Sequence, residues 1–189
     1  MDALAGIFTA FGLSASAGLN AYIPLLAISL LSRFTDLITL SSPWDTLENP
    51  WIIGLLVILI AIEFFADKVP AVNHVNDIIQ TVIRPVAGAL LFAASAKVVT
   101  NVHPVISLSA GLLVAGSVHA VKSLAIRPAV TATTGGVGNA PVSMLEDIIA
   151  GVVSILSIVI PVLFAVIAII ITSWIVWKMW FRSGAKRTA

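Results

Sequence analysis

Apolar residues run along this chain in long blocks, and the polar stretches between them are short. Leu4–Leu31, Trp51–Ala66, Asn76–Val99, Val105–Ala125 and Leu145–Trp180 each carry a block of spanning length or close to it. About 20 helical residues cross a ~30 Å hydrocarbon layer, so the pattern predicts about five transmembrane helices. Ser32–Pro50 (SRFTDLITLSSPWDTLENP) is the clearest loop, and Asn101–Pro104 is a short turn. Arg127–Met144 (RPAVTATTGGVGNAPVSM) has no charge after Arg127 until Glu146, and its Gly135-Gly136 and Gly138-Asn139 pairs are strong breakers. A solvated loop usually carries charge, so this stretch reads as re-entrant or as a buried polar loop. The expected fold is an all-α polytopic integral membrane bundle, a single domain over residues 1–189.

Composition points the same way. The 189 residues are 59% hydrophobic and 10% charged, and the mean hydropathy is +1.10. Soluble domains run about 45–50% apolar and about 25% charged. A net charge of +1 gives no case for a nucleic-acid partner, and the lack of cysteine excludes disulfides, thiolate metal sites and thiol nucleophiles. The opening MDALAGIFTAFG lacks the basic region of a cleaved signal, so it is expected to remain as the first membrane segment. Trp174, Trp177 and Trp180 read as an interfacial belt. Lys178, Arg182, Lys186 and Arg187 follow and place the C-terminus on the cytoplasmic side.

In the first segment Ala10, Ser14 and Gly18 follow a small-xxx-small spacing that lets helices approach closely. A second copy of the chain is one candidate for that face. Asn20 and Pro24 come next, and two readings stand: a Pro-kinked packed helix, or a broken helix whose freed backbone lines a polar site with Asn20 as a ligand.

The charges concentrate in Glu63–Arg84 (EFFADKVPAVNHVNDIIQTVIR), between two apolar runs. Glu63 and Asp67 are four apart and share a helix face. Asp77 and Arg84 are seven apart, again near one face. A looser counterpart at His119–Asp147 holds His119 and Lys122 at i, i+3, then Arg127, Glu146 and Asp147. For Lys68, Lys122, Arg127 and Glu146, a place at helix ends with snorkelling side chains is as good a reading as a place in a site. Glu63 and Arg84 sit furthest from a free end and are the favoured site residues. The candidate substrate-binding or proton-coupling set is Glu63, Asp67, Asp77, Arg84, His119, Asn20 and Asn139. His74 and Asp77 with Glu63 or Asp67 make a weak metal pattern, and neither a metal nor a cofactor is expected. No spacing signature supports a serine nucleophile at Ser117 or Ser123, so an enzyme is a less favoured class that stays open.

Two stretches share an order of anchors. Gly54-Leu55-Leu56-Val57, Pro70, Asp77-Ile78-Ile79 and Pro85 are matched by Gly111-Leu112-Leu113-Val114, Pro128, Asp147-Ile148-Ile149 and Pro161. This defines candidate repeat units at 51–99 and 105–180, each a helix, a polar bend and a helix.

GLSASAGLNAYIPLL (Gly12–Leu26), EFFADKVPAVNHVND (Glu63–Asp77), IRPVAGALL (Ile83–Leu91) and KSLAIRPAVTATTGGVGNAPVSMLED (Lys122–Asp147) together resemble the bacterial membrane family known as domain of unknown function 4126. The resemblance covers nearly the whole chain and implies a bacterial inner-membrane protein, with no activity attached. Arg84-Pro85-Val86-Ala87-Gly88 is also similar, at a few positions, to the Arg/Pro/Ala-Gly signature in re-entrant segments of DedA lipid-carrier transporters; no activity carries over from it. The residues themselves favour a small transporter of a polar or anionic solute, such as a lipid head group, with proton coupling through Glu63 or Asp67. A non-transporting membrane scaffold is the competing class, and an intramembrane enzyme the third.

Overall fold

A computed structural model describes residues 3–66, 70–97 and 102–185, with the side chains of 3, 70–75, 77, 97, 164, 165, 168 and 179–185 excepted. The described chain is all-α. Its helices are α1 (Ala3–Leu19), α2 (Tyr22–Phe34), α3 (Pro50–Ala66), α4 (Pro70–Lys97), α5 (Pro104–Val121), α6 (Arg127–Thr134), α7 (Asn139–Val159) and α8 (Pro161–Ala185). A 3-10 turn at Trp44–Glu48 lies in the loop between α2 and α3, and a π-helical turn at Lys122–Ile126 joins α5 to α6. Three helical stretches among the described residues are long and apolar enough to cross a membrane: Ile78–Ala96, Pro104–Thr134 and Asn139–Val159. Leu4–Leu19, Tyr22–Phe34, Pro50–Ala66 and Ile169–Lys178 are shorter apolar helices. This is the make-up of a helical membrane protein.

α1 is the central element, packed by α4, α5, α7 and α8. Its small residues explain how. Ser14 Oγ donates to the Gly88 carbonyl of α4 at 2.8 Å. Ser16 Oγ donates to the Ala150 carbonyl of α7 at 2.8 Å, and Thr9 Oγ1 to the Ser157 carbonyl at 2.7 Å. Such interhelical bonds average about 0.6 kcal/mol in membranes, so their worth here is mainly in fixing register. A Cβ on Gly18 would lie 2.6 Å from the Ala115 carbonyl oxygen and 2.6 Å from Val118 Cβ. The Ala10, Ser14 and Gly18 face expected to meet a partner helix is therefore buried inside the chain, against α4 and α5. Leu13, Ala17, Leu25, Ile28, Leu91 and Ile158 complete the core around it.

The expected first span, Leu4–Leu31, is two helices. Pro24 has no N–H, and its ring would collide with the Asn20 carbonyl if α1 ran on; at the third position of α2 it meets neither problem. The expected last span, Leu145–Trp180, is also two helices. α7 ends at Val159 and Pro161 opens α8. Arg127–Met144 is largely helical: α6 extends the α5 line, Gly135 (φ 62°) and Gly136 (φ 92°) make the turn in the left-handed region, and α7 starts at Asn139. The glycine doublet comes eight residues after Arg127, so the breakers end the helix late. The Arg84–Gly88 segment lies within continuous helix α4 and is not re-entrant.

Candidate functional site

The breaks and bends place the buried charges together. Two apolar helices, α3 and α5, bring Glu63 and His119 to faces that meet α4, where Gln80 and Arg84 stand one turn apart. Arg84, at 1% exposure, donates from Nη2 to Glu63 Oε1 at 2.9 Å. Its Nη1 lies 3.2 Å from His119 Nδ1. Arginine carries only donors, so Nδ1 accepts and the imidazole proton is on Nε2. That nitrogen faces Thr81 Oγ1 at 3.2 Å. His119 thus sits between a guanidinium and a hydroxyl.

One turn beyond His119, at the start of the π turn, Lys122 is buried at 2% exposure. Its Nζ donates to the Leu19 carbonyl at 2.9 Å and pairs with Glu146 Oε2 of α7 at 2.8 Å. Arg127 Nη2 reaches the same Glu146 oxygen at 3.1 Å. The Leu19 carbonyl is one of those left without a helical donor where α1 stops, and Lys122 fills that role. On the other side of the break, Asn20 Oδ1 accepts from Tyr22 N–H at 3.0 Å and Ile23 N–H at 3.1 Å. It thereby caps α2 as an N-cap residue does. Asn20 Nδ2 donates to Asp147 Oδ1 at 2.9 Å.

The result is one polar layer around the α1–α2 break. Arg84, Lys122 and Arg127 are its buried cations, Glu63 and Glu146 its buried acids, and Asp147 is half-buried. Two open clefts flank it. One, of about 380 Å³, lies between α4 and α5 and is lined by Ile78, Thr81, Pro85, Gly116, His119 and Ser123 among others. The other, of about 440 Å³, is lined by Ile23 of α2, Val57 and Phe64 of α3, and Asp147 of α7.

Of the sequence-predicted residues, Glu63, Arg84, His119 and Asn20 meet in this layer. Asn139 does not: it sits at the glycine turn, two helical turns from Glu146, and its Nδ2 donates to Thr131 Oγ1 at 2.9 Å. Asp67 and the side chain of Asp77 lie outside the described residues. Lys122, Arg127 and Glu146 are at the heart of the layer and were absent from the predicted set. The missed signal is Arg127-Pro128. Pro128 cannot donate to the Leu124 carbonyl, and the backbone widens just upstream into the π turn, where Arg127 N–H bonds the Lys122 carbonyl.

A family model described as domain of unknown function (DUF4126) matches residues 7–181. The chain belongs to that family. The matched range takes in every residue of the polar layer. No curated protein and no solved structure matches the chain.

Proposed function

We propose that this membrane protein is a small transporter or permease for a small polar or anionic solute, which passes through the polar layer at the α1–α2 break. One observation carries the reading: three buried cations and two buried acids from separate helices surround a discontinuous helix. Each ionisable group at the centre of a span costs about 2.5–3.5 kcal/mol on insertion scales. Interrupted helices at such a depth present backbone groups to a bound solute. In this reading Arg84 and the Asn20 break contact the solute, His119 relays hydrogen bonds to the α4–α5 cleft, and Glu63 or Asp67 takes up the coupled proton. Asp77 and Asn139 complete the candidate solute-binding or proton-coupling set. The setting is a bacterial inner membrane, with the basic C-terminus in the cytoplasm. A lipid head group is one candidate solute.

The test is uptake of radiolabelled acetate and inorganic phosphate into proteoliposomes under an imposed pH gradient, with glycerol as a neutral control. Wild-type protein is expected to take up at least one anion. Glu63→Gln and Arg84→Lys, confirmed as monodisperse, are expected to lose that uptake. A second reading, a non-transporting scaffold, draws on the fact that the buried charges hold one another in ion pairs. If folded wild-type protein moves neither anion, the transport reading falls and the scaffold reading replaces it.

A further inference from the structure

Lys122 and Arg127 converge on a single oxygen of Glu146, and the backbone is remodelled to allow it. In an α-helix, residues five apart point about 140° away from one another. In the π turn, bonded from residue i to i+5, they return to one side. The Arg127 N–H to Lys122 carbonyl bond is that i, i+5 bond. A π turn is rare and costs helix geometry, so its presence at the pair that receives Glu146 gives the pair a purpose beyond filling space.

The carboxylate is held unevenly. Oε2 accepts from both cations, at 2.8 Å and 3.1 Å, whereas buried Oε1 has no hydrogen-bond partner. Lys122 has a second anchor besides Glu146, the Leu19 carbonyl at the helix break. A lysine and an arginine set side by side, one anchored to backbone, make a receptor for an oxyanion. Glu146 sits in it as a tethered stand-in.

We infer that Lys122 and Arg127 form a binding site for a small oxyanion, a carboxylate or a phosphate, and that Glu146 occupies it until the ligand displaces it. This deepens the transport reading and rests on it for treating the polar layer as a solute site. It names the solute class and the residue that competes with it. No bond is made or broken: one negative charge replaces another at the pair.

The test is calorimetric titration of the full-length protein in detergent with acetate and with inorganic phosphate, and in nanodiscs with phosphatidic acid. Wild-type protein is expected to bind at least one of the three. Glu146→Gln removes the competing charge and should bind the same ligand about tenfold more tightly. Glu146→Asp retracts the carboxylate, covers the case in which the Gln variant misfolds, and should also bind more tightly than wild type. Lys122→Met should lose the binding. Binding of the soluble ions assigns the site to a free solute, and binding of phosphatidic acid alone assigns it to a lipid phosphate. No binding by wild type overturns the inference, and so does an affinity unchanged in both Glu146 variants. Because binding is read without flux, oxyanion binding together with absent uptake would sink the transport reading and leave the site standing.

Discussion

Gly54 and Gly111 each open a Gly-Leu-Leu-Val tetrapeptide, one in α3 and the other in α5, and they meet opposite surroundings. A Cβ on Gly54 would touch nothing within 4 Å. One on Gly111 would run into the Gly88 carbonyl and lie 2.6 Å from Phe92 Cβ and 2.7 Å from Ala89 Cα. The helix pairs that follow differ just as much. α3 and α4 are joined by an acid on the first helix and a base on the second, Glu63 to Arg84. The α5–α6 line and α7 are joined by two bases on the first and an acid on the second, Lys122 and Arg127 to Glu146. In the first pair Arg84 meets Glu63 with one guanidinium nitrogen and His119 with the other. The second places two cations on one carboxylate and ties itself to the α1–α2 break through the Leu19 carbonyl and Asn20. A similar order of residues thus accompanies an arginine on a glutamate in one place and two cations sharing one carboxylate oxygen in the other.

The largest effect should come from removing one cation on each side. Arg84→Met leaves the buried Glu63 carboxylate without its arginine and takes the donor from His119 Nδ1. Loss of one partner of a buried pair costs about 3–5 kcal/mol. Lys122→Met leaves Arg127 still on Glu146, so the loss should be smaller, about 1.5–3 kcal/mol, as for a hydrogen bond to a charged group. Unfolding in mixed detergent micelles, titrated with a denaturing detergent, reads both. Equal losses would erase the distinction between the two charge groups.

That distinction was half legible in the sequence. Glu63 and Arg84 stood out because apolar runs enclose them, leaving them nowhere to go but inward. His119 stood out as a polar group near the end of a span. Asn20 with Pro24 announced a break, because proline lacks the N–H and crowds the carbonyl four residues back. Lys122, Arg127 and Glu146 stood evenly between a site and helix ends, since a Gly/Thr/Asn-rich stretch separates Arg127 from Glu146 and its composition resembles a loop. The helix carries on as α6 because nothing before Gly135 forces φ positive. The π turn has no compositional signature, yet it alone brings Lys122 and Arg127 to one side. The break at Pro161 and the tolerance of Pro85 within α4 share one sequence cue, a proline in an apolar run, which does not separate them.

The glycines give the next test. Gly111→Ala should cost about 1–3 kcal/mol, as overpacking does in a tight contact, because backbone atoms of α4 stand in the way. Gly54→Ala should cost nothing or stabilise by up to about 1 kcal/mol, the ordinary gain from alanine in a helix. The same unfolding titration measures both. A matched cost at Gly54 would mean that α3 packs more tightly than its open face implies.

The smallest and most discriminating change is at Asn20, which belongs to the second pair only. Its Oδ1 caps α2, and its Nδ2 holds Asp147. Asn20→Ala removes both functions. Asn20→Ser keeps an acceptor for the α2 N–H groups but gives up reach to Asp147. If the cap is what secures the break, Ser should recover most of the roughly 1 kcal/mol that a lost N-cap costs. If the bond to Asp147 is what ties α7 to the break, Ser should be as destabilised as Ala. Hydrogen exchange at the Tyr22 and Ile23 amides separates the two, since those amides lose protection only when the cap is lost. Protected amides in a destabilised Ser variant would place the anchor of the second pair at Asp147, next to the Glu146 carboxylate that the oxyanion must displace.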